Sequence, residues 1–270
     1  MEIVDFKKKV WRHYKKAKRS FPWRETKDPY KITVSEIMLQ QTQADRVVAK
    51  YVAFLKKWPT LKKLASAELQ DVLAMWSGLG YNRRGKSLWQ LAKVVSENHY
   101  NKIPNTIVAL EKLPGIGPYT ARAILAFAFN APHACIETNI RSVYIYSFFP
   151  NSKRKIADED LFPLIERTLD KKNPREWYYA LMDYGTFLKK MKLTTNDRHK
   201  NYRKQTPFKG SLREARGAIL RELVISQSTL NKLKEKIKLS SDKVEEALTA
   251  LQKEKLVIKN GARYSISSKM

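Results

Sequence analysis

Cysteine is almost missing from this chain: Cys135 is the single one among 270 residues. One thiol excludes an internal disulfide framework and any cysteine-rich zinc or iron–sulfur site built within the chain, and it fits a reducing compartment. Long apolar runs are lacking too, since none approaches the roughly 18 residues needed to cross a bilayer. The charged start, Met1-Glu-Ile-Val-Asp-Phe-Lys7, has no signal-peptide core behind it, so a soluble intracellular protein is expected. The histidines, His13, His99, His133 and His199, are scattered without ligand spacing and support no metal site. Acid is also scarce: 26 Asp+Glu face 53 Lys+Arg, a formal charge of +27. That excess exceeds what solubility requires and points to a polyanionic partner, nucleic acid first. A generally basic proteome or a ribosome-associated protein is the alternative reading.

What is present is helical periodicity. Apolar residues recur at helical spacing through most of the chain up to Lys190, and alternating strand patterns are nearly absent there. The clearest helices are Ser35 to Ala44 onward, Leu69 to Trp76, Gly85 to Asn98, Ile107 to Leu113, Tyr119 to Phe129, Thr138 to Phe148 and Pro174 to Lys190. Trp76, Trp89, Trp177 and Tyr178 fall in helical phase and read as core. From Lys189 to Lys209 the pattern dissolves into a stretch with eight basic residues against one acid, Asp197. A solvated linker and a phosphate contact are both open readings of it. Lys7, Lys8, Lys9, Arg12, Lys15 and Lys16 on an early helix are likewise a solvated face or a DNA-backbone contact.

Beyond Gly210 the signals change. Helices are expected over Leu212 to Leu223, Thr229 to Ile237 and Ser241 to Lys253, the last started by Ser240-Ser-Asp. Two β-prone arms around Asn260-Gly261 then form a short hairpin. Three helices and a hairpin make a winged helix, whose third helix normally enters the major groove. Here that helix exposes Asp242, Glu245 and Glu246 beside Lys243, which suits packing or protein contact as well as DNA.

Two segments carry chemistry. Leu113-Pro-Gly-Ile-Gly-Pro-Tyr119-Thr-Ala is a tight glycine turn opening an apolar helix, and amides exposed at such a helix start can face a phosphate. An ordinary helix connector has the same signature. About twenty residues on, Ile136-Glu137-Thr138-Asn139-Ile-Arg141 places one carboxylate beyond that helix's far end. An amide cradle and a lone acid suggest chemistry on a nucleotide.

Taken in order, Phe21-Pro-Trp-Arg24, Pro29-Tyr30, Ser35-Glu36-Ile-Met-Leu-Gln-Gln-Thr42, Gly78-Leu-Gly80-Tyr81 and Leu113-Pro-Gly-Ile-Gly-Pro-Tyr-Thr120 resemble the helix-hairpin-helix DNA glycosylases. The similarity is closest to the MutY-type adenine enzymes. It covers residues 1–190, and Ser-Glu-x-Met-Leu-Gln-Gln-Thr is its most specific element. The fold it implies is a two-lobed all-α body over 1–207, with a six-helix barrel near 30–135 and a second lobe of 1–29 plus 136–190. A winged-helix α+β module over 210–270 follows the basic linker at 189–209.

By this resemblance the chain is a monofunctional glycosylase acting as a monomer on double-stranded DNA, with no membrane partner. It flips a mismatched or damaged base between the lobes and hydrolyses its glycosidic bond. Adenine opposite guanine or 8-oxoguanine is the first expectation. Thymine or uracil opposite guanine is the alternative, and a non-catalytic lesion binder or a structural nucleoid-type binder are further ones. Glu36 matches the acid that protonates the departing base. Gln40 and Gln41 match positions beside the flipped nucleotide and the opposing base, and Thr42 is a DNA-contact candidate next to them. Tyr81 matches a wedge in the duplex. Arg24, Arg83, Gly115, Gly117 and Thr120 are further DNA-contact candidates. Tyr119 stands where bifunctional relatives carry lysine, so no Schiff base and no strand cleavage follow.

Glu137 stands in the place of the family's catalytic aspartate, where a carboxylate meets the positive charge that develops on the sugar. Asn139 matches the residue that orients the acid or the water. Two departures stand out. The four cysteines of an iron–sulfur cluster that normally follow Met-Asp-x-Gly, here Met182-Asp183-Tyr-Gly185, are lacking, so no cluster is expected. The adenine enzymes recognise 8-oxoguanine through a large Nudix-like terminal domain, whereas residues 210–270 read as a winged helix, so a reduced preference for 8-oxoguanine is expected. A sodium or potassium ion at the backbone of Leu113 and Ile116 is a further implication of the resemblance.

Overall fold

A computed structural model of the protein describes residues 1–267. The chain forms two compact units, 1–32 with 105–111 and 116–204, and 33–104 with 112–115 and 205–270.

The first unit is all helix. Helix α1 (Ile3–Ala17) buries Phe6, Val10 and Tyr14, one residue per turn, and leaves Lys8, Lys9, Arg12, Lys15 and Lys16 exposed. Phe6 meets Tyr144, Phe148 and Trp177 at ring separations of 5.0, 4.9 and 6.1 Å. Its partners ride on α9 (Thr138–Phe148) and α11 (Pro174–Lys190). Helix α11 buries Trp177, Tyr178, Tyr179, Ala180 and Leu181 in succession, so it is buried all round and is the core of this unit. Helix α8 (Pro118–Phe129) packs on α11, α10 (Asp158–Thr168) packs on α9, and α7 (Ile107–Glu111) packs on α8.

The second unit receives α2 (Pro29–Leu39) at Thr33 and holds α3 (Ala44–Lys57), α4 (Leu61–Ala65), α5 (Leu69–Trp76) and α6 (Arg83–Asn98). The helix expected from Ser35 through Ala44 is interrupted. It stops at Leu39, and Gln41 takes a left-handed backbone (φ 54°) before α3 begins.

The module after Gly210 runs α12 (Leu212–Ile225), β1 (Ser228–Thr229), α13 (Leu230–Lys236), α14 (Ser241–Lys253), β2 (Val257–Asn260) and β3 (Arg263–Ile266). This is the winged-helix order. The antiparallel sheet runs β1–β3–β2, one strand more than the expected hairpin. Asn260 pairs with Arg263, so the hairpin turn is Gly261-Ala262, one residue later than the sequence signal. Within the unit, α12 packs on α5, and Lys86 Nζ donates to the carbonyls of Glu254 and Lys255 at 3.1 and 2.8 Å, capping the end of α14. The exposed side of α14 carries Asp242, Glu245 and Glu246, as the sequence indicated, with Glu245 paired to Lys234 of α13.

The basic stretch is no loose linker over its first half. Thr195 donates to the Ser142 carbonyl on α9 (3.1 Å), Lys200 N–H to the Ile156 carbonyl (2.9 Å), and Arg198 to the carbonyls of Phe149 and Ser152 (2.5 and 3.0 Å). Arg198 is thereby consumed internally, while Lys189, Lys190, Lys192, Lys200, Arg203, Lys204 and Lys209 stay exposed. No helix among the described residues is long and apolar enough to cross a membrane.

Candidate active site

In the second unit the site forms around one arginine. Helix α2 is buried from Ile32 to Met38, so Glu36, only 7% exposed, sits within an otherwise apolar and hydroxyl-lined helix. Where α2 ends, the guanidinium of Arg84 donates to the carbonyls of Ile37, Met38 and Gln40 at 2.9, 2.8 and 2.5 Å. Its other terminal nitrogen reaches Thr42 Oγ1 at 2.9 Å and the carbonyls of Leu79 and Gly80 at 3.3 and 3.1 Å. A planar fork with five N–H groups suits this task, because it fastens the helix end to the glycine loop as a fixed body. Burial pushes the Arg84 guanidinium down to about 10, against the opposing influence of Tyr81.

The loop itself turns on Gly78 and Gly80, both at positive φ (93° and 72°), and delivers Tyr81, also left-handed at φ 48°. Non-glycine residues adopt that conformation at a cost of roughly 1–3 kcal/mol, and such strain concentrates at functional positions. Gln41 and Tyr81, both expected at the DNA, share it. Tyr81 is 36% exposed, with the Arg84 guanidinium 5.5 Å from its ring centre. Gln40 Nε2 donates to the Gly115 carbonyl at 3.2 Å, which ties the α2 end to the predicted hairpin turn. Gly115 is required twice over: its φ is +80°, and a Cβ there would lie 2.8 Å from Ser87 Cβ on α6. The candidate Arg83 is exposed, whereas its neighbour Arg84 organises the site. Arg84 falls in phase with buried Leu88, Leu91 and Val95, and a cation on that stripe is the signal that sequence reasoning passed over.

In the first unit, Glu137 is the N-cap of α9. Its Oε1 accepts from Ile140 N–H at 2.8 Å and its Oε2 from Asn139 Nδ2 at 3.3 Å. Burial raises its carboxyl above the usual range, while the bonds from Asn139 and Ile140 and the charge of Arg141 pull the other way. Asn139 therefore orients the carboxylate directly. The first turn of α9 is reached by α11 at Gly185, where an added Cβ would lie 2.6 Å from both Asn139 Cβ and its carbonyl oxygen.

Two residues earlier on α11, Asp183 is the second polar anchor. Arg24 grips it with two bonds of 2.9 Å, and Arg19 adds Nε at 2.6 Å and its backbone N–H at 3.1 Å. Desolvation raises the Asp183 carboxyl, but Arg24, then Arg19, outweigh it and hold it low. This corrects the expectation that Arg24 touches DNA. Its side chain is 4% exposed and committed to Asp183, with Tyr179 stacked 4.5 Å away.

On α8, Tyr119 is half-buried in the first turn and Thr120 is buried behind it. Gly117 caps that helix with an ordinary φ of −100°, and a Cβ there would meet nothing within 4 Å. Its surroundings are open, as a phosphate approach needs.

The HhH-GPD family, described as a superfamily of base excision DNA repair proteins, matches residues 34–167. An adenine DNA glycosylase of Buchnera aphidicola subsp. Baizongia pistaciae is 35% identical over 178 residues, covering 66% of this chain and 50% of the relative. One from Mycobacterium tuberculosis is 44% identical over 131 residues, covering 48% of this chain and 43% of the relative. The chain belongs to the HhH-GPD superfamily. A solved thermostable thymine-DNA glycosylase shares the fold at a TM-score of 0.61 and 27% identity, covering 68% of this chain and 85% of that one. An endonuclease III bound to DNA, at 0.58 and 14%, shares the fold over 69% of this chain and 87% of its own. The chain spans half or less of the length of the curated relatives above, at 50% and 43%.

Within the superfamily, the donor set here does not fit an iron–sulfur cluster. Cys135 is the single cysteine of the sequence and is 1% exposed, in the strand of chain leading to α9. Among the described residues no group of three or more His, Cys, Asp or Glu is placed to hold a metal ion.

Proposed function

We propose that this chain is a monofunctional DNA glycosylase that removes adenine mispaired with guanine or 8-oxoguanine. The observation that carries the reading is the state of Glu137. A carboxylate held on two sides by Ile140 N–H and Asn139 Nδ2 is fixed in orientation. It is thus pre-organised to meet the positive charge that grows on the deoxyribose as the glycosidic bond breaks. Glu36, buried on α2, supplies the proton that turns the leaving purine into a neutral base. Tyr119 brings no amine to attack the sugar, so water is the acceptor and the strand is left intact. The names of the Buchnera aphidicola and Mycobacterium tuberculosis relatives support adenine as the base.

Glutamate for aspartate at position 137 lengthens the acid by one methylene. The N-cap bond to Ile140 takes up that length by folding the side chain back on its own helix, which supports a pocket fitted to glutamate over a dead one. Thymine or uracil opposite guanine is the second reading, favoured by the fold and 27% identity shared with the thymine-DNA glycosylase.

Single-turnover base release on duplexes carrying A:8-oxoguanine, A:G, A:C, T:G and U:G, with and without alkali, tests the proposal. Release from the adenine series alone, visible only after alkali and lost in Glu137→Gln, is the expected result. Release confined to T:G and U:G would transfer the assignment to the pyrimidine reading. No release from any duplex would leave a lesion-binding protein.

A further inference from the structure

Tyr81 does not stand alone in its loop. Its phenol oxygen accepts hydrogen bonds from Gln205 Nε2 and, at 3.2 Å, from Arg213 Nη1, both supplied by the chain that begins the terminal module. Arg213 is in turn fixed by its second nitrogen, which donates to the Thr206 carbonyl at 2.6 Å. The base of this grip is firm within the unit. Gln70 on α5 donates to the Val224 carbonyl at the end of α12 (2.6 Å), Lys86 on α6 caps α14, and Arg216 pairs with Glu254 at 2.9 and 2.5 Å. Helix α12 thus carries Arg213 on a support bonded to the same helices that carry the Tyr81 loop.

We infer that Arg213 and Gln205 are positioning residues for Tyr81, so that the terminal module sets the orientation of the side chain that enters the duplex. This rests on the wedge role given to Tyr81 above. An aromatic ring on an exposed glycine loop samples several rotamers, and one that must enter a base stack loses that freedom on binding. Two donors on the hydroxyl remove part of the loss beforehand, while Arg84 lies against the ring from below. The module then acts on the reaction through one hydroxyl group, with no contact between its acidic α14 face and DNA required. That explains why a winged-helix module can carry acids on its third helix and still serve a DNA enzyme.

The test uses the full chain and a duplex with 2-aminopurine beside the target adenine, whose fluorescence rises when its neighbour unstacks. It is read together with the single-turnover rate at saturating protein. Tyr81→Phe keeps the ring and deletes only the hydroxyl. Tyr81→Phe and Arg213→Ala are each expected to lower the fluorescence rise and to slow base release by about 2–10-fold, from the cost of one immobilised side chain. Combined, they should be no worse than Tyr81→Phe alone, and Gln205→Ala should behave like a weaker Arg213→Ala. Melting temperatures identify any variant that loses its fold, and Tyr81→Phe, which alters no packing, decides the matter there.

Additive losses in the double variant would mean that Arg213 touches DNA directly and would overturn the inference. A severe Tyr81→Ala with a neutral Tyr81→Phe would also overturn it while leaving the wedge intact. A neutral Tyr81→Ala would remove the wedge reading as well. The fluorescence readout needs no base release, so it separates failure of this inference from failure of the glycosylase reading.

Discussion

Gly185→Ala is the most informative single change to make. The added methyl carbon would stand 2.6 Å from Asn139 Cβ and 2.6 Å from Asn139 O. Ordinary contacts between such atoms are about 3.5 Å or longer, so α11 and the first turn of α9 must part by close to 1 Å. Neither neighbour is the free end of a flexible side chain: one is backbone and the other is fixed to it. Overpacking of this kind costs about 1–3 kcal/mol, and at roughly 2–4 °C per kcal/mol for chains of comparable size the melting temperature falls by several degrees. On the proposed function, the chemical effect is larger than the thermal one. The turn being displaced holds Glu137 and Asn139, and a misplacement near 1 Å costs on the order of 100-fold in rate. Single-turnover base release beside a thermal melt reads both. Gly117→Ala is the control, since its Cβ would meet nothing within 4 Å and its φ is ordinary, so its melting temperature should not move. A Gly185→Ala variant that melts with wild type and cleaves at the wild-type rate would refute the close approach and the positioning argument together.

Four further outcomes are expected. Arg84→Ala strands the carbonyls at the end of α2 and costs at least about 3 kcal/mol in urea unfolding, whereas Arg83→Ala stays within about 0.5 kcal/mol; equal effects would displace Arg84 from its role. Asp183→Asn leaves the Arg24 cation buried without its partner and costs about 3–5 kcal/mol at neutral pH. Because Asp183 is held below its usual range, wild type keeps that contribution above about pH 4 and loses it as pH falls through the lowered value, so the variant should show a flatter acid limb, and an unchanged limb would count against the pair. In its proposed role Glu137 acts ionised, and its carboxyl is raised, so the rate should climb with pH through a midpoint above the usual carboxylate value; Asn139→Ala, which deletes a bond to the ionised form, should move that midpoint higher, and a fall would contradict the geometry. Iron and sulfide analysis of purified protein should come back empty, and a stoichiometric cluster would overturn the account of the segment after Gly185.

Much of the fold was legible because its helices are long, periodic and well punctuated. The ranges Leu69–Trp76, Thr138–Phe148, Pro174–Lys190 and Ser241–Lys253 coincide with α5, α9, α11 and α14. The break at Gln41 was hidden because Leu39, Gln40 and Thr42 carry no glycine or proline. What ends α2 is a cation from another helix collecting its last carbonyls, and no local pattern records that. Arg24 was misjudged for the mirror reason: its partner Asp183 lies 159 positions away, and a basic residue looks available until its counter-charge is located. Gly115 could be assigned from its turn, whereas the need for Gly185 arises from a helix contact that only the tertiary structure supplies. Tyr81 could be placed by resemblance, but its two donors belong to a segment that resembles nothing in the family pattern.

The division of labour between arginine and lysine bears on what the charge of +27 means. Arg24, Arg84, Arg175 and Arg198 each spend their guanidinium inside the protein, on a carboxylate or on main-chain carbonyls. Five donors in a rigid plane make arginine a cross-link between segments, and a chain of many short helices has many carbonyl-rich ends to join. The cations left at the surface of α1 and along the segment after α11 are mostly lysines. Lysine is a mobile point charge that suits a phosphate anywhere along a backbone and distinguishes no base. On the proposed function, the surplus charge therefore contributes affinity and salt dependence, while selectivity falls to Gln41 and Tyr81, both held in the left-handed backbone region, and to Gln40 between the helix end and the hairpin turn. A protein organised this way keeps its fold when surface lysines are lost and loses its discrimination when one buried arginine is.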